Sequence, residues 1–184
     1  MNKVMLVMLF ASVSVISNAQ TKYFTKDGNI SFFSKAAVED IEATNKKVTC
    51  VVDPATGQME FTMLIRAFEF EKELMKEHFN ENYMESEKFP KSTFKGTIEN
   101  ASSVKWTVDG IYPVKVSGKL TMHGITKDVT AAGSFTIKGC KINGKSEFVV
   151  LLADYDIKVE KAYTSKIADK IKVTVDVDLA PLAK

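Results

Sequence analysis

The chain has 184 residues, with 25 Lys and Arg against 23 Asp and Glu and a formal net charge of +2. A balance this even says little about partners. Arg66 is the only arginine; without that planar fork for phosphates and base edges, and with no dense basic cluster, the composition argues against a nucleic-acid binder.

Met1, Asn2 and Lys3 precede an unbroken apolar run from Val4 to Ala11, a softer stretch to Ile16, and then Ser17, Asn18, Ala19 and Gln20. One positive charge, an apolar core and small residues three and one positions before a break predict a secretory signal peptide over residues 1–19, cleaved after Ala19. The run is shorter than the ~20 residues of a spanning helix. No Cys stands at the cleavage position, so a lipid-modified terminus is not indicated. Residues 20–184 then form a single domain by length, periplasmic or secreted, with no further span.

Tyr23 and Phe24 and the run Asn29 to Phe33 flank Lys26, Asp27 and Gly28, which predicts a hairpin. Ser34 to Asn45 reads as a loop or short helix, and Lys47 to Val52 as a strand. Asp53 to Gly57 has turn chemistry. Phe61, Met63 and Ile65 alternate with polar neighbours. From Glu71 to Met84 the period changes: Leu74, Met75, Phe79 and Tyr83 make one helical stripe or two broken turns, and Pro90 ends the segment.

Alternation resumes with Phe94, Gly96 and Ile98, then Val104, Trp106 and Val108 before Asp109 and Gly110. It continues through Val114, Val116, Gly118, Leu120 and Met122 to a turn at Gly124, and on through Val129, Ala131, Gly133, Phe135 and Ile137. Asn143 and Gly144 predict a hairpin, followed by Phe148, Val150 and Leu152. The last strand carries Val173, Val175, Val177 and Leu179 on one face. Period two means one dry face and one wet face. The expected fold is all-β, an antiparallel barrel of about eight strands with a short helical insertion. Gly96, Gly118, Ala131 and Gly133 either leave room inside or serve curvature. A membrane barrel fits less well, because the polar face is thick with Lys, Glu and Asp.

Catalytic chemistry finds few candidates. No HExxH, GxSxG, phosphate loop or cysteine–histidine metal spacing occurs. His78 beside Glu77, and His123 on the polar phase of its strand, read as surface or turn residues, with a metal-dependent enzyme as the alternative. Asp154 and Asp156 flank Tyr155 on a predicted strand and read as a solvated face. Cys50 within a strand and Cys140 at a hairpin tip leave a disulfide open; otherwise they are one buried and one surface thiol. No catalytic residue, metal or cofactor is expected.

Two segments, FPKSTFKG from Phe89 to Gly96 and GKLTMHGITKDV from Gly118 to Val129, resemble those of the YceI-like family of exported bacterial proteins. The likeness, with the last alternating strand, covers nearly all of residues 20–184; the stretch Phe32 to Asn45 departs from the family pattern. The resemblance implies a lipocalin-like barrel without enzymatic activity, holding a polyisoprenoid or similar long amphiphile in its pore. It carries onto Phe94, Leu120 and Met122, while His123 matches the motif without an assigned role. The expected lumen is Phe61, Met63, Phe94, Val116, Leu120, Met122, Phe135, Phe148 and Val150. The expected cap at the mouth is Leu74, Met75, Phe79, Tyr83 and Met84. A non-catalytic interaction or stress module with a filled barrel is the alternative, and a homodimer is left open.

Overall fold

The computed structural model describes residues 21–182; the expected signal peptide lies outside them. Among the described residues the strands are β1 (Tyr23–Lys35), β2 (Asp40–Val52), β3 (Gln58–Leu64), β4 (Glu69–Phe70), β5 (Lys91–Ile98), β6 (Gly110–Met122), β7 (Ile125–Lys138), β8 (Lys141–Leu151) and β9 (Lys170–Pro181). They form one antiparallel sheet in the order β1-β9-β8-β7-β6-β5-β3-β2, and β1 also pairs with β2. Eight strands therefore close on themselves, which removes most of the exposed edge an open sheet would leave. The two-residue β4 adds to β2 alone, through Ala43↔Phe70 and Thr44↔Glu69. The single α-helix among the described residues, α1 (Glu73–His78), runs into a π turn over Phe79–Tyr83 between β4 and β5.

The alternation sets which side faces in. On β3, Met59, Phe61 and Met63 are buried and Gln58, Glu60, Thr62 and Leu64 exposed. On β6, Val114 and Leu120 point inward while Lys115 and Lys119 point out.

Several sequence expectations are corrected. Lys26 to Gly28 is not a hairpin: β1 runs through it, with register shifts on both sides of Gly28. A Cβ there would lie 2.9 Å from Val177 Cγ1 and 3.0 Å from the Val48 carbonyl, so the glycine permits a close crossing, not a reversal. The presumed loop up to Asn45 contains the first half of β2. Its polar inward residue disguised it: Asn45 is fully buried, donating from Nδ2 to the Leu64 carbonyl at 2.9 Å and accepting the Lys47 N–H at 2.9 Å.

Asn143 and Gly144 sit inside β8. The turn is at Gly139 and Cys140, where Gly139 has φ 59° and donates its N–H to Asp109 Oδ1 at 2.7 Å. Asn143 instead donates to Asp176 and Asp178 on β9, at 2.7 and 2.9 Å. Val104, Trp106 and Val108 form no strand; Val104 and Trp106 fold under the barrel and Val108 is exposed. Asp154 and Asp156 share no strand face, because Leu152–Tyr155 is a 3-10 turn and Asp156 is left-handed.

Both thiols are free. Burial pushes the Cys50 thiol up to about 12, whereas Cys140 is exposed on its turn. A disulfide-exchange reagent at mildly alkaline pH is thus expected to modify Cys140 in the folded protein and Cys50 only after denaturation, since the thiolate is the reactive form. Equal rates for the two in native protein would contradict this burial.

Candidate functional site

The two ends of the barrel differ. At one end Trp106 stacks on Tyr23 (ring centroids 5.6 Å apart) and meets Phe135 at 5.0 Å, over a packed layer that includes Ile98, Ile137, Ile142 and Leu179. At the other, residues 36–39, the insertion 65–90, the turn at 123–124 and residues 152–169 ring a mouth. Behind it lies a chamber of about 500 Å³, within the usual range for a small-molecule site.

Every residue expected in the lumen borders this chamber: Phe61 and Met63 from β3, Phe94 from β5, Val116, Leu120 and Met122 from β6, Phe135 from β7, Phe148 and Val150 from β8. The expected cap residues Leu74, Met75, Phe79, Tyr83 and Met84 border it too, with Leu74 exposed at the rim and Met84 buried. Missed at the sequence level were Ile30 and Phe32 of β1, Phe68 and Phe70 before α1, and Val173 and Val175 of β9. Phe32, Phe68, Phe70 and Phe79 form one aromatic cluster, with Phe79 5.0 to 5.6 Å from each of the others. The alternation of Val173 and Val175 was visible, but the bulge at Gly28 hid the phase of β1.

Of the small residues, Ala131 and Gly133 border the chamber. Gly96 and Gly118 pair directly, where a Cβ on either would strike the facing backbone, and the Phe94 ring covers both. These two serve close backbone approach and curvature.

Glu39, Lys72 and Lys166 border the chamber at the mouth, and Lys145 borders it in the β8 wall with its ammonium paired to Asp176 at 3.0 Å. Lys72 Nζ meets Glu39 Oε1 at 2.6 Å; the hydrogen bond lowers the Glu39 carboxyl and raises the Lys72 ammonium. His78 also borders the opening. Burial, with Tyr163 and Glu160 nearby, raises the Tyr83 hydroxyl, keeping it a donor. Among the described residues no three His, Cys, Asp or Glu side chains gather closely enough to hold a metal.

His123 corrects the surface reading, for it is buried. Its Nδ1 lies 2.9 Å from the Tyr155 carbonyl and its Nε2 3.1 Å from Glu85 Oε1, with the Phe89 ring edge-on at 4.8 Å. Hydrogen bonding from His123, aided by Lys88, holds the Glu85 carboxyl below the usual carboxylate range. Glu85, His123 and Asp156 have φ of 41°, 51° and 52°; left-handed backbone in non-glycine residues costs about 1 kcal/mol or more each.

A closed antiparallel barrel around an apolar chamber, open at one charged rim, is a lipocalin-like binding architecture. The chain belongs to the YceI-like family, whose domain model matches residues 15–179. A polyisoprenoid binding domain from Saccharophagus degradans, implicated in plant cell wall breakdown, shares the fold at TM-score 0.76 and 12% identity, over 88% of this chain and 99% of that one. Burkholderia cenocepacia BcnA matches at TM-score 0.68 and 19% identity, over 83% and 96% of the two chains. Campylobacter jejuni YceI matches at TM-score 0.57 and 15% identity, over the full length of both. A search of curated proteins finds no match.

Proposed function

We propose that this chain is an exported, non-catalytic carrier that holds a polyisoprenoid or other long-chain amphiphile in the barrel. The observation that carries the reading is a chamber of about 500 Å³ with an apolar wall and the Glu39–Lys72 ion pair at its mouth. Each methylene moved from water into such a wall contributes about 0.8 kcal/mol. Ten carbons of chain give roughly 8 kcal/mol before the cost of association is subtracted. The lumen residues named above supply affinity, while the rim around Glu39, Lys72 and Tyr83 orients the polar head. The Saccharophagus degradans domain, described as polyisoprenoid binding, supports the ligand class. The leader over residues 1–19, read as a signal peptide cleaved after Ala19, supports a periplasmic or secreted location.

The test is native mass spectrometry of protein purified without detergent, followed by uptake of a long-chain prenol. One amphiphile per chain, or stoichiometric uptake, is expected. Absence of both would overturn the proposal and favour an interaction module whose barrel binds nothing.

A further inference from the structure

The barrel wall is unzipped on one side. The β7–β8 ladder starts at Lys138↔Lys141 and ends at Gly133↔Ser146, although both strands run on toward the mouth. Beyond that fork, Ile125 to Ala132 pair only with β6, and Glu147 to Leu151 only with β9. Gly133 marks the fork, where a Cβ would stand 2.6 Å from the Lys145 carbonyl, and Ser146 Oγ donates to the Ala132 carbonyl at 2.7 Å. Ala131, Phe148 and Val150 beside the split all border the chamber.

The mouth end of this split is closed by apolar packing of Leu152, Tyr155 and Ile157 with Met122, Ile125 and Val129, and by a side-chain hydrogen bond from His123. His123 sits on the turn that begins β7 and reaches the Tyr155 carbonyl just after β8, while its other nitrogen reaches Glu85 behind the π turn. Both partners are acceptors. A neutral imidazole has one N–H and can donate to only one of them; the imidazolium donates to both.

We propose that His123 is a proton-set clasp that positions the insertion and the β8–β9 connection over the open seam, holding the apolar ligand when protonated and releasing it when neutral. This rests on the carrier reading for its ligand. The surrounding charges are of both signs: Glu85 favours the imidazolium, and the Lys88 ammonium on the same carboxylate opposes it. From the insertion, Lys88 Nζ lies 3.5 Å from the second Glu85 oxygen and 4.8 Å from the Phe89 ring centroid. From the β8–β9 connection, Asp154 and Asp156 flank Tyr155, and Asp156 is engaged by Lys158 at 3.4 Å. The turn's own neighbours, Met122 and Gly124, carry no charge. The neutral imidazole keeps one arm of the clasp and loses the other. Glu85 keeps its charge well into the acid range and loses its contribution only as pH falls through its lowered value.

The experiment follows transfer of N-phenyl-1-naphthylamine from the protein to phosphatidylcholine vesicles at about pH 5.5 and about pH 7.5. Release from the unaltered protein is expected to be about tenfold slower at the lower pH, the scale of one hydrogen bond to a charged group. His123→Asn, which tolerates left-handed backbone, should release fast at both. Glu85→Gln, at a more exposed position, should shrink the pH ratio to about twofold or less and serves as the test if His123→Asn fails to fold. A pH-independent rate in the unaltered protein, or an unchanged ratio in the variants, overturns the clasp. Amide exchange over residues 129–132 and 147–157 in the ligand-free protein, corrected for intrinsic rates, separates the two readings. Protection that falls with rising pH and is lost in His123→Asn supports the clasp even where no dye binds; the carrier reading then falls only if prenol uptake and a co-purifying amphiphile are absent too. Protection that is pH-independent overturns the clasp whatever the dye does.

Discussion

Leu120→Arg is expected to abolish prenol uptake, lowering affinity by about 100-fold or more. Leu120 is buried on β6, pairs with Phe94 and Lys127 across its two ladders, and packs with Ile65, Met84 and Val150 beside the chamber. Seating an apolar chain next to a guanidinium means stripping water from the charge without giving it a partner, which costs several kcal/mol. The side chain also occupies volume the ligand needs. Val149→Arg is the control, because Val149 is 59% exposed and points outward between Phe148 and Val150; its uptake should match the unaltered protein. Where Leu120→Arg fails to fold, Val116→Trp tests the same wall by bulk alone, with about a tenfold loss expected. Melting curves establish folding and fluorescence titration reads uptake. A folded Leu120→Arg protein that still takes up prenol normally would remove the chamber from the binding reaction.

The wall of that chamber was legible because the period-two pattern is a direct image of burial. Phe61 and Met63, Phe94, Leu120 and Met122 stand on long uninterrupted alternations, so their phase survived. What failed was wherever a polar or glycine signal has two physical causes. Gly28 and Gly144 were read as reversals, yet each lets a strand pass close to a neighbour. Asn45 looked like loop chemistry because its partner, the Leu64 carbonyl, is on another strand. His123 looked exposed because its acceptors lie 32 and 38 residues away in sequence. Nor does one strand's pattern show where a ladder stops, so the seam beyond Gly133 was invisible before β7 and β8 were placed side by side.

Trp106→Ala should separate stability from binding. Trp106 is 7% exposed and seals the end of the barrel away from the mouth, stacked on Tyr23 and touching Phe135. Removing a buried Trp costs about 3–5 kcal/mol, because the lost contacts leave a void that the surrounding strands fill only in part. In a domain of this length each kcal/mol lowers the melting temperature by about 2–4 °C, so a fall of roughly 10 °C or more is expected. Trp106 does not border the chamber, whereas Phe135 touches both the plug and the chamber wall. Prenol affinity measured well below the transition should therefore change by about threefold or less, the trace of a small Phe135 shift. Affinity lost in step with the melting temperature, in protein still folded at the temperature of the titration, would mean that the plugged end belongs to the binding site. The ligand would then extend past Phe135 into the plugged end.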